Sequence, residues 1–346
     1  MTPELAGFAG HVVRWQAVHG RGGLPWQATR DPYRVWLSEI MLQQTQVATV
    51  LAYYPRFLVR FPDVRALAGG SLDDVLALWS GLGYYSRARN LHRCAQAVVT
   101  LHQGEFPNRA TALEKLPGIG RSTAAAIAAF CFDERAAILD GNVKRVLTRV
   151  LGFDADLTKS ANAQVLWNEA AALLPDQEGA MPAYTQGLMD LGATVCLARR
   201  PMCLLCPVRE LCRARREGDP ERYPVKSRKL RRGAQALWLL RAGAPDGSVW
   251  LEKRPLTGIW AGLYCLPTFD TRDALDAALP PEARPGLRDQ TPFVHALTHK
   301  DLHLHPVAAQ LEHRKTLHSL EGAWFTAAQW PSLGLPAPIR KLLERG

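Results

Sequence analysis

The sequence predicts a two-domain protein, an all-α domain followed by an α+β domain, and three observations predict it. From Phe8 to about Tyr223 apolar residues recur at helical spacing, and Gly or Pro punctuation such as "FPDV", "GLGYY" and "LPGIG" separates the segments. The seven residues Lys226 to Arg232 then carry five cations and one apolar side chain, the composition of a solvated connector. Beyond it the pattern turns to strands. "AQALWLLRA" and "SVWLEKRP" flank the turn "GAPDG", "GLYCLPTF" and "KDLHLHPVAA" follow, and an amphipathic helix closes the chain from about Pro338 to Glu344. The expected division is 1–225, a linker at 226–233, and 234–346.

A chain of 346 residues with 47% hydrophobic and 21% charged content can bury two ordinary cores. No run approaches the roughly eighteen apolar residues of a membrane span, and "MTPELAGFAGHVVRWQ" lacks the charged-then-apolar order of a secretory signal. A cytosolic protein with no membrane partner is expected. Its formal charge of +10 is uneven: 30 Lys and Arg stand against 21 Asp and Glu up to Arg232, but 12 against 11 afterwards. The helical part is therefore the candidate for contact with a phosphate polymer, against the plainer reading of a solvated basic face.

Four of the seven cysteines, Cys196, Cys203, Cys206 and Cys212, are spaced C-x6-C-x2-C-x5-C within "CLARRPMCLLCPVRELC". In a reducing compartment four thiols so close together point to one metal centre rather than to disulfides. Zinc and an iron-sulfur cluster both accept four thiolates, and the ligand type leaves that choice open. Cys94, Cys131 and Cys265 read as small core residues.

Three further segments carry chemistry. In "LPGIGRSTAAAI" the glycines at 118 and 120 permit backbone angles barred to other residues and a close approach to a ligand, and the helix that follows offers N-H groups to a phosphate. About twenty residues on, Asp140 in "ILDGNVKRVLTR" precedes a helical run. It reads as an N-cap, and a carboxylate held by N-H groups also suits a developing sugar cation. In "YRVWLSEIMLQQTQVATV", Glu39 shares a helical face with Val35, Trp36 and Leu42. Such neighbours disfavour its charged form and make it a candidate general acid, unless it is an ordinary salt-bridge partner or solvent-edge residue.

The cysteine spacing resembles the 4Fe-4S loop of the endonuclease III superfamily of DNA glycosylases, and the hairpin with Asp140 resembles that superfamily's helix-hairpin-helix and catalytic aspartate. More closely, "LPWQ", "VWLSEIMLQQTQVATV", "GLGYYSRARNLH", "LPGIGRSTA", "LDGNVKRVL" and "MDLGATVC" resemble the MutY-type adenine DNA glycosylases. The resemblance implies a 4Fe-4S cluster on the loop 196–212, a structural staple that presents cations, and double-stranded DNA with adenine opposite 8-oxoguanine or guanine as partner. Glu39 then protonates adenine, Asp140 stabilises the sugar cation, and Asn142 and Ser122 help position water or phosphate. Leu24, Trp26 and Gln186 match the adenine pocket, and Gln44 and Tyr84 match residues that wedge into the duplex. Gly118, Gly120 and Lys144 lie where the backbone phosphates would run.

Superfamily members that also cut the strand carry a lysine where this chain has Ser122, so the serine implies a hydrolase that stops at the abasic site. "VWLEKRPLTGIWAGLYCLP" with "FVHALTHKDLHLHP" resembles the family's Nudix-like C-terminal domain, here without the Arg-Glu-x-x-Glu-Glu magnesium box. That domain is expected to read 8-oxoguanine through Leu297, Thr298 and His299, with leucine in place of the family's aromatic residue. The resemblance implies a monomer in a bacterial cytoplasm, associated with the nucleoid. The rivals are a bifunctional glycosylase/lyase of the endonuclease III type and a non-catalytic iron-sulfur DNA-binding protein.

Overall fold

The computed structural model describes residues 5–225, 227, 232–311, 317 and 320–345. Of the expected linker 226–233, residues 226 and 228–231 lie outside the described residues. Fourteen α-helices and eight strands occur among the described residues. They group into two compact units, one of Met1–Ala68 with Arg93–Lys229, the other of Gly69–His92 with Leu230–Gly346.

The helices in order are α1 (Phe8–His19), α2 (Pro32–Leu42), α3 (Val47–Arg60), α4 (Val64–Gly69), α5 (Leu72–Trp79), α6 (Ser86–His102), α7 (Ala110–Leu113) and α8 (Arg121–Phe132). After these come α9 (Gly141–Leu151), α10 (Ser160–Ala172), α11 (Met181–Thr194) and the short α12 (Arg213–Arg216). Local chemistry starts and stops them. Asp31 caps α2 by accepting from the Tyr33 N-H, with Pro32 supplying a pre-set first turn. Asp140 caps α9 by accepting from the Val143 N-H, and Gly152, at φ 62°, ends that helix in the left-handed conformation.

The core of the first unit gathers Phe8 and Val12 of α1, Ala126 and Ala129 of α8, Val143 and Leu147 of α9, Leu166 of α10 and Leu188 of α11. The alanine run of α8 is what makes this possible. With only methyl groups at Ala124 to Ala126, Ala128 and Ala129, all buried, α8 comes close to α2, α7 and α11 at once.

The second unit is built on a mixed sheet. Strand β1 (Gly233–Gly243) runs parallel to β7 (Lys300–Gln310), residue for residue from Gly233 opposite Lys300 to Gly243 opposite Gln310. The strands β2 (Val249–Lys253), β3 (Tyr264–Cys265), β4 (Thr268–Phe269), β5 (Arg288–Asp289), β6 (Phe293–Ala296) and β8 (Ala323–Phe325) attach antiparallel, in the main order β3-β2-β1-β7-β5. Helix α13 (Arg272–Ala277) contributes Leu275 to a core with Leu240, Trp250 and Val307, and α14 (Ala337–Glu344) closes the chain. β1, β2 and β7 match the expected strands. β5, β6, β8 and α13 were not anticipated, being too short to show a period.

Gly69–His92 is helical in sequence pattern yet packs with the C-terminal unit. Lys253 pairs with Asp73 at 2.7 Å, and the Ser80 and Tyr85 hydroxyls both donate to the Leu335 carbonyl, at 2.9 and 3.1 Å. These contacts span some 180 to 255 residues of chain, so no local pattern announces them.

Candidate active site

A cavity of about 1410 Å³ opens in the first unit, between the N-terminus of α9, the start of α8, α2, α11 and the loop that precedes α2. Eight residues singled out in the sequence line it: Leu24, Trp26, Glu39, Gln44, Ser122, Asp140, Asn142 and Gln186.

Glu39 and Asp140 are electrostatic neighbours in opposed settings. Burial, and then the nearby Asp140 charge, push the Glu39 carboxyl up to about 8 from an ordinary 4.5. The expected face is present: Trp36 is fully buried, and Val35 and Leu42 stand in the cavity wall. Asp140 instead meets a donor, the Val143 N-H at 2.7 Å from Oδ1. One carboxyl is thus favoured as a proton carrier and the other is anchored to a helix N-terminus.

Ser122 has a concrete task here. Its Oγ accepts from the Leu139 N-H at 3.0 Å, tying the start of α8 to the residue before Asp140. Asn142 accepts from an Arg145 guanidinium N-H at 2.9 Å, and the same Nη2 donates to the Gly192 carbonyl at 2.7 Å. At Gly192 a Cβ would lie 2.6 Å from the Asn142 Cβ, and 3.1 Å from its backbone C and O. Gly192→Ala should therefore push α9 off α11, lowering stability by about 1–3 kcal/mol in urea denaturation.

The same cavity is lined by Trp26, buried with its ring edge-to-face against Tyr54 at 5.3 Å, and by Gln186. Sequence reasoning missed two residues here. Arg21 lines the cavity, and the fully buried Asp190 accepts from the Arg21 Nε at 2.7 Å and from the Gln186 Nε2 at 2.8 Å. The one available signal was an aspartate inside the otherwise apolar and small-residue run "LMDLGA".

The hairpin corrects one expectation. Gly118 sits at φ 76°, where glycine is required, but Gly120 has φ −91°, open to any residue, and a Cβ there would meet nothing within 4 Å. What glycine at 120 does is leave the start of α8 bare, in front of N-H groups that no side chain caps. Gly118, Gly120 and Lys144 do not line the cavity. Lys144 is half-buried on α9, its backbone N-H on the Asp140 carbonyl.

Cys196, Cys203, Cys206 and Cys212 line a second, separate cavity, although among the described residues no three His, Cys, Asp or Glu side chains group as a site for a metal ion. Burial raises the Cys196 and Cys212 thiols and pushes Cys206 up to about 12. Arg149, 1% exposed, donates to the Cys196 Sγ at 3.3 Å and to the carbonyls of Leu197 and Ala198. A buried guanidinium aimed at sulfur is what an anionic sulfur centre would need.

In the second unit, the Tyr84 hydroxyl and Thr298 Oγ1 are 2.6 Å apart, so a residue expected to wedge into DNA and one expected to read the lesion touch. Thr298 and His299 are exposed in the turn between β6 and β7, and Leu297 is half-buried there. Tyr84 and Gln44 have φ 47° and 57°. Left-handed backbone is costly for such side chains.

This scaffold, a helical hairpin beside a cavity with a proton-bearing carboxyl and an N-capped aspartate, defines a class of base-excising DNA repair enzymes. Residues 37–171 match the HhH-GPD superfamily base excision DNA repair proteins, and residues 237–345 match the NUDIX domain. An adenine DNA glycosylase of Buchnera aphidicola subsp. Acyrthosiphon pisum (strain APS) is 36% identical over 344 residues, covering 97% of each chain. That of Homo sapiens is 43% identical over 281 residues, 78% of this chain and 47% of that one. A thermostable thymine-DNA glycosylase superposes with a TM-score of 0.55 at 28% identity, over 62% of this chain and 97% of that one. Endonuclease III in a non-covalent DNA complex, at TM-score 0.53 and 21% identity over 63% and 99%, shares the fold. The chain belongs to the adenine DNA glycosylase family of the HhH-GPD superfamily.

Proposed function

We propose that this protein is a monofunctional adenine DNA glycosylase, which hydrolyses the N-glycosidic bond of adenine opposite 8-oxoguanine or guanine and leaves the strand intact. The observation that carries the reading is the cavity in which Glu39, held protonated to about pH 8, and the N-capped Asp140 meet. Adenine is a poor leaving group unless protonated; Glu39 delivers the proton, and Asp140 stabilises the oxocarbenium-like sugar before water attacks. Leu24, Trp26 and Gln186 receive the extruded base. Ser122 offers no amine to form a Schiff base and instead supports the segment before Asp140.

The bare N-H groups at Arg121–Thr123, Lys144 and the glycine hairpin bind backbone phosphates, and Gln44 and Tyr84 are residues that wedge into the duplex beside the partner base. Thr298 and His299 read the partner base, with Thr298 held by Tyr84. The protein acts as a monomer in the cytoplasm, at the nucleoid.

The four cysteines hold a 4Fe-4S cluster. Four thiols around one desolvated cavity, with Arg149 donating to Cys196, suit a multinuclear anionic centre. Bound there, the cluster would staple the loop that displays Arg199, Arg200 and Arg209, and no step of excision passes through it. The isolated protein should contain about four iron and four sulfide per chain by chemical analysis, and zinc in their place would overturn this assignment.

The function is tested with duplexes carrying adenine opposite 8-oxoguanine or guanine. Strand scission only after alkali is the expected result. Scission without alkali, with an abundant borohydride-trapped adduct, would favour the bifunctional rival, and no abasic site at all would leave only the DNA-binding rival.

A further inference from the structure

Asp190 lies on the buried side of α11 and does not line the cavity, yet it joins two of the cavity's walls. Its Oδ1 accepts from the Nε of Arg21 at 2.7 Å and the Nε2 of Gln186 at 2.8 Å, while Oδ2 accepts from the Arg21 backbone N-H at 2.9 Å. Arg21 begins the segment that carries Leu24 and Trp26, and Gln186 stands one helical turn before Asp190, facing the cavity.

A side-chain amide has two chemically opposite ends, and which end faces a ligand decides what it can recognise. An ion-paired carboxylate offers acceptors only, so the end of Gln186 turned towards Asp190 must be its NH2. The carbonyl Oε1 is then what Gln186 presents to the cavity. An acceptor there matches the exocyclic amine of a 6-aminopurine and opposes the carbonyl of a 6-oxopurine.

We propose that Asp190 is a positioning residue that fixes the amide of Gln186 and thereby makes the pocket select a 6-aminopurine over a 6-oxopurine. This rests on reading the cavity as the base pocket. Asp190 itself touches no substrate. It sets the polarity of the residue that does, and through Arg21 it holds in place the segment that carries Leu24 and Trp26.

Exchanging hydrogen-bond polarity tests this. In Asp190→Asn, the backbone N-H of Arg21, fixed in the main chain, keeps the one remaining oxygen, since the Arg21 side chain, 32% exposed, can turn to water. The new NH2 then faces Gln186, which turns over and shows its own NH2 to the cavity. Single-turnover rates are measured on duplexes with deoxyadenosine or deoxyinosine opposite 8-oxoguanine, and the quantity read is their ratio. The ratio should fall by about tenfold or more in Asp190→Asn, the scale of one hydrogen bond exchanged for a repulsive contact.

Adding Gln186→Glu to Asp190→Asn should restore the preference, because a carboxylate accepts from the new NH2 with one oxygen and shows the other to the base. A purely structural role would lower both rates together, leave the ratio unmoved and allow no rescue, and that result overturns the proposal. Should Asp190→Asn fail to fold, Gln186→Met, which leaves the Asp190–Arg21 pair intact, must lose the preference; keeping it overturns the proposal equally. A wild-type protein that excises adenine with no preference over hypoxanthine refutes the inference while the function stands. One that excises neither refutes both.

Discussion

A Glu39→Gln variant should bind its duplex normally and excise adenine about 10²- to 10⁴-fold more slowly, the usual contribution of a positioned general acid. Glutamine keeps the size and polarity of the neutral side chain, so the loss reads the proton rather than the packing. The pH profile supplies the second half of the test. Burial is the largest cause of the shift, and the Asp140 charge adds to it, holding the Glu39 proton to about pH 8. The wild-type rate should therefore be level on the acid side and fall about tenfold per pH unit above 8. That limb should be missing from the variant.

The same shift has a stability consequence of fixed sign. Because the folded state holds the proton more tightly than an ordinary glutamate at 4.5 does, the stabilisation is full below that value and lost as pH rises through about 8. Glutamine has no charge to bury. The variant should gain on the wild type in thermal unfolding as pH climbs from about 4.5, with the gain complete above about 8. Slower chemistry with a firmer fold at pH 9 would be the mark of a carboxyl kept for catalysis at the expense of stability.

Much of this site was legible because its chemistry is local. An aspartate one residue before a helical run is an N-cap by its own bonding needs, and Asp140 accepts the Val143 N-H. Glu39 among Val35, Trp36 and Leu42 on one helix face predicts a raised pKa without any tertiary knowledge, and the shift is there. The four cysteines, spread over seventeen residues, were expected to lie together, and they line one cavity.

What escaped the sequence depends on distance along the chain. Asp190 and Arg21 are 169 residues apart, and nothing in either segment signals the pair. Gly69–His92 reads as one more stretch of the helical domain, but its partners, Lys253 and Leu335, lie in the Nudix-like half. β5, with two residues, and β8, with three, cannot display a period of two; only pairing with β7 and β2 makes them strands. Gly120 shows the opposite error: the motif suggested a special backbone, while the structure uses the missing side chain and an ordinary φ.

Asp140→Asn should separate the two duties of that residue. Asparagine caps helices as well as aspartate does, so the Val143 N-H keeps its partner and α9 its start, and the melting temperature should barely change. Asp140→Ala loses the cap as well and should be less stable by about 1 kcal/mol. Both should lose excision by about 10²- to 10³-fold or more, because a neutral amide or a methyl group cannot offset positive charge developing on the sugar. DNA binding should hold or tighten in both, since each removes a negative charge facing phosphates. The residual activity carries a further signature. Asp140 contributes to the raised Glu39 value, so in Asp140→Asn the alkaline limb should move to lower pH, by less than the part that burial alone maintains. An unmoved limb would mean that the two carboxyls do not act on each other in the working enzyme, and near-normal excision by Asp140→Asn would remove the aspartate from the mechanism.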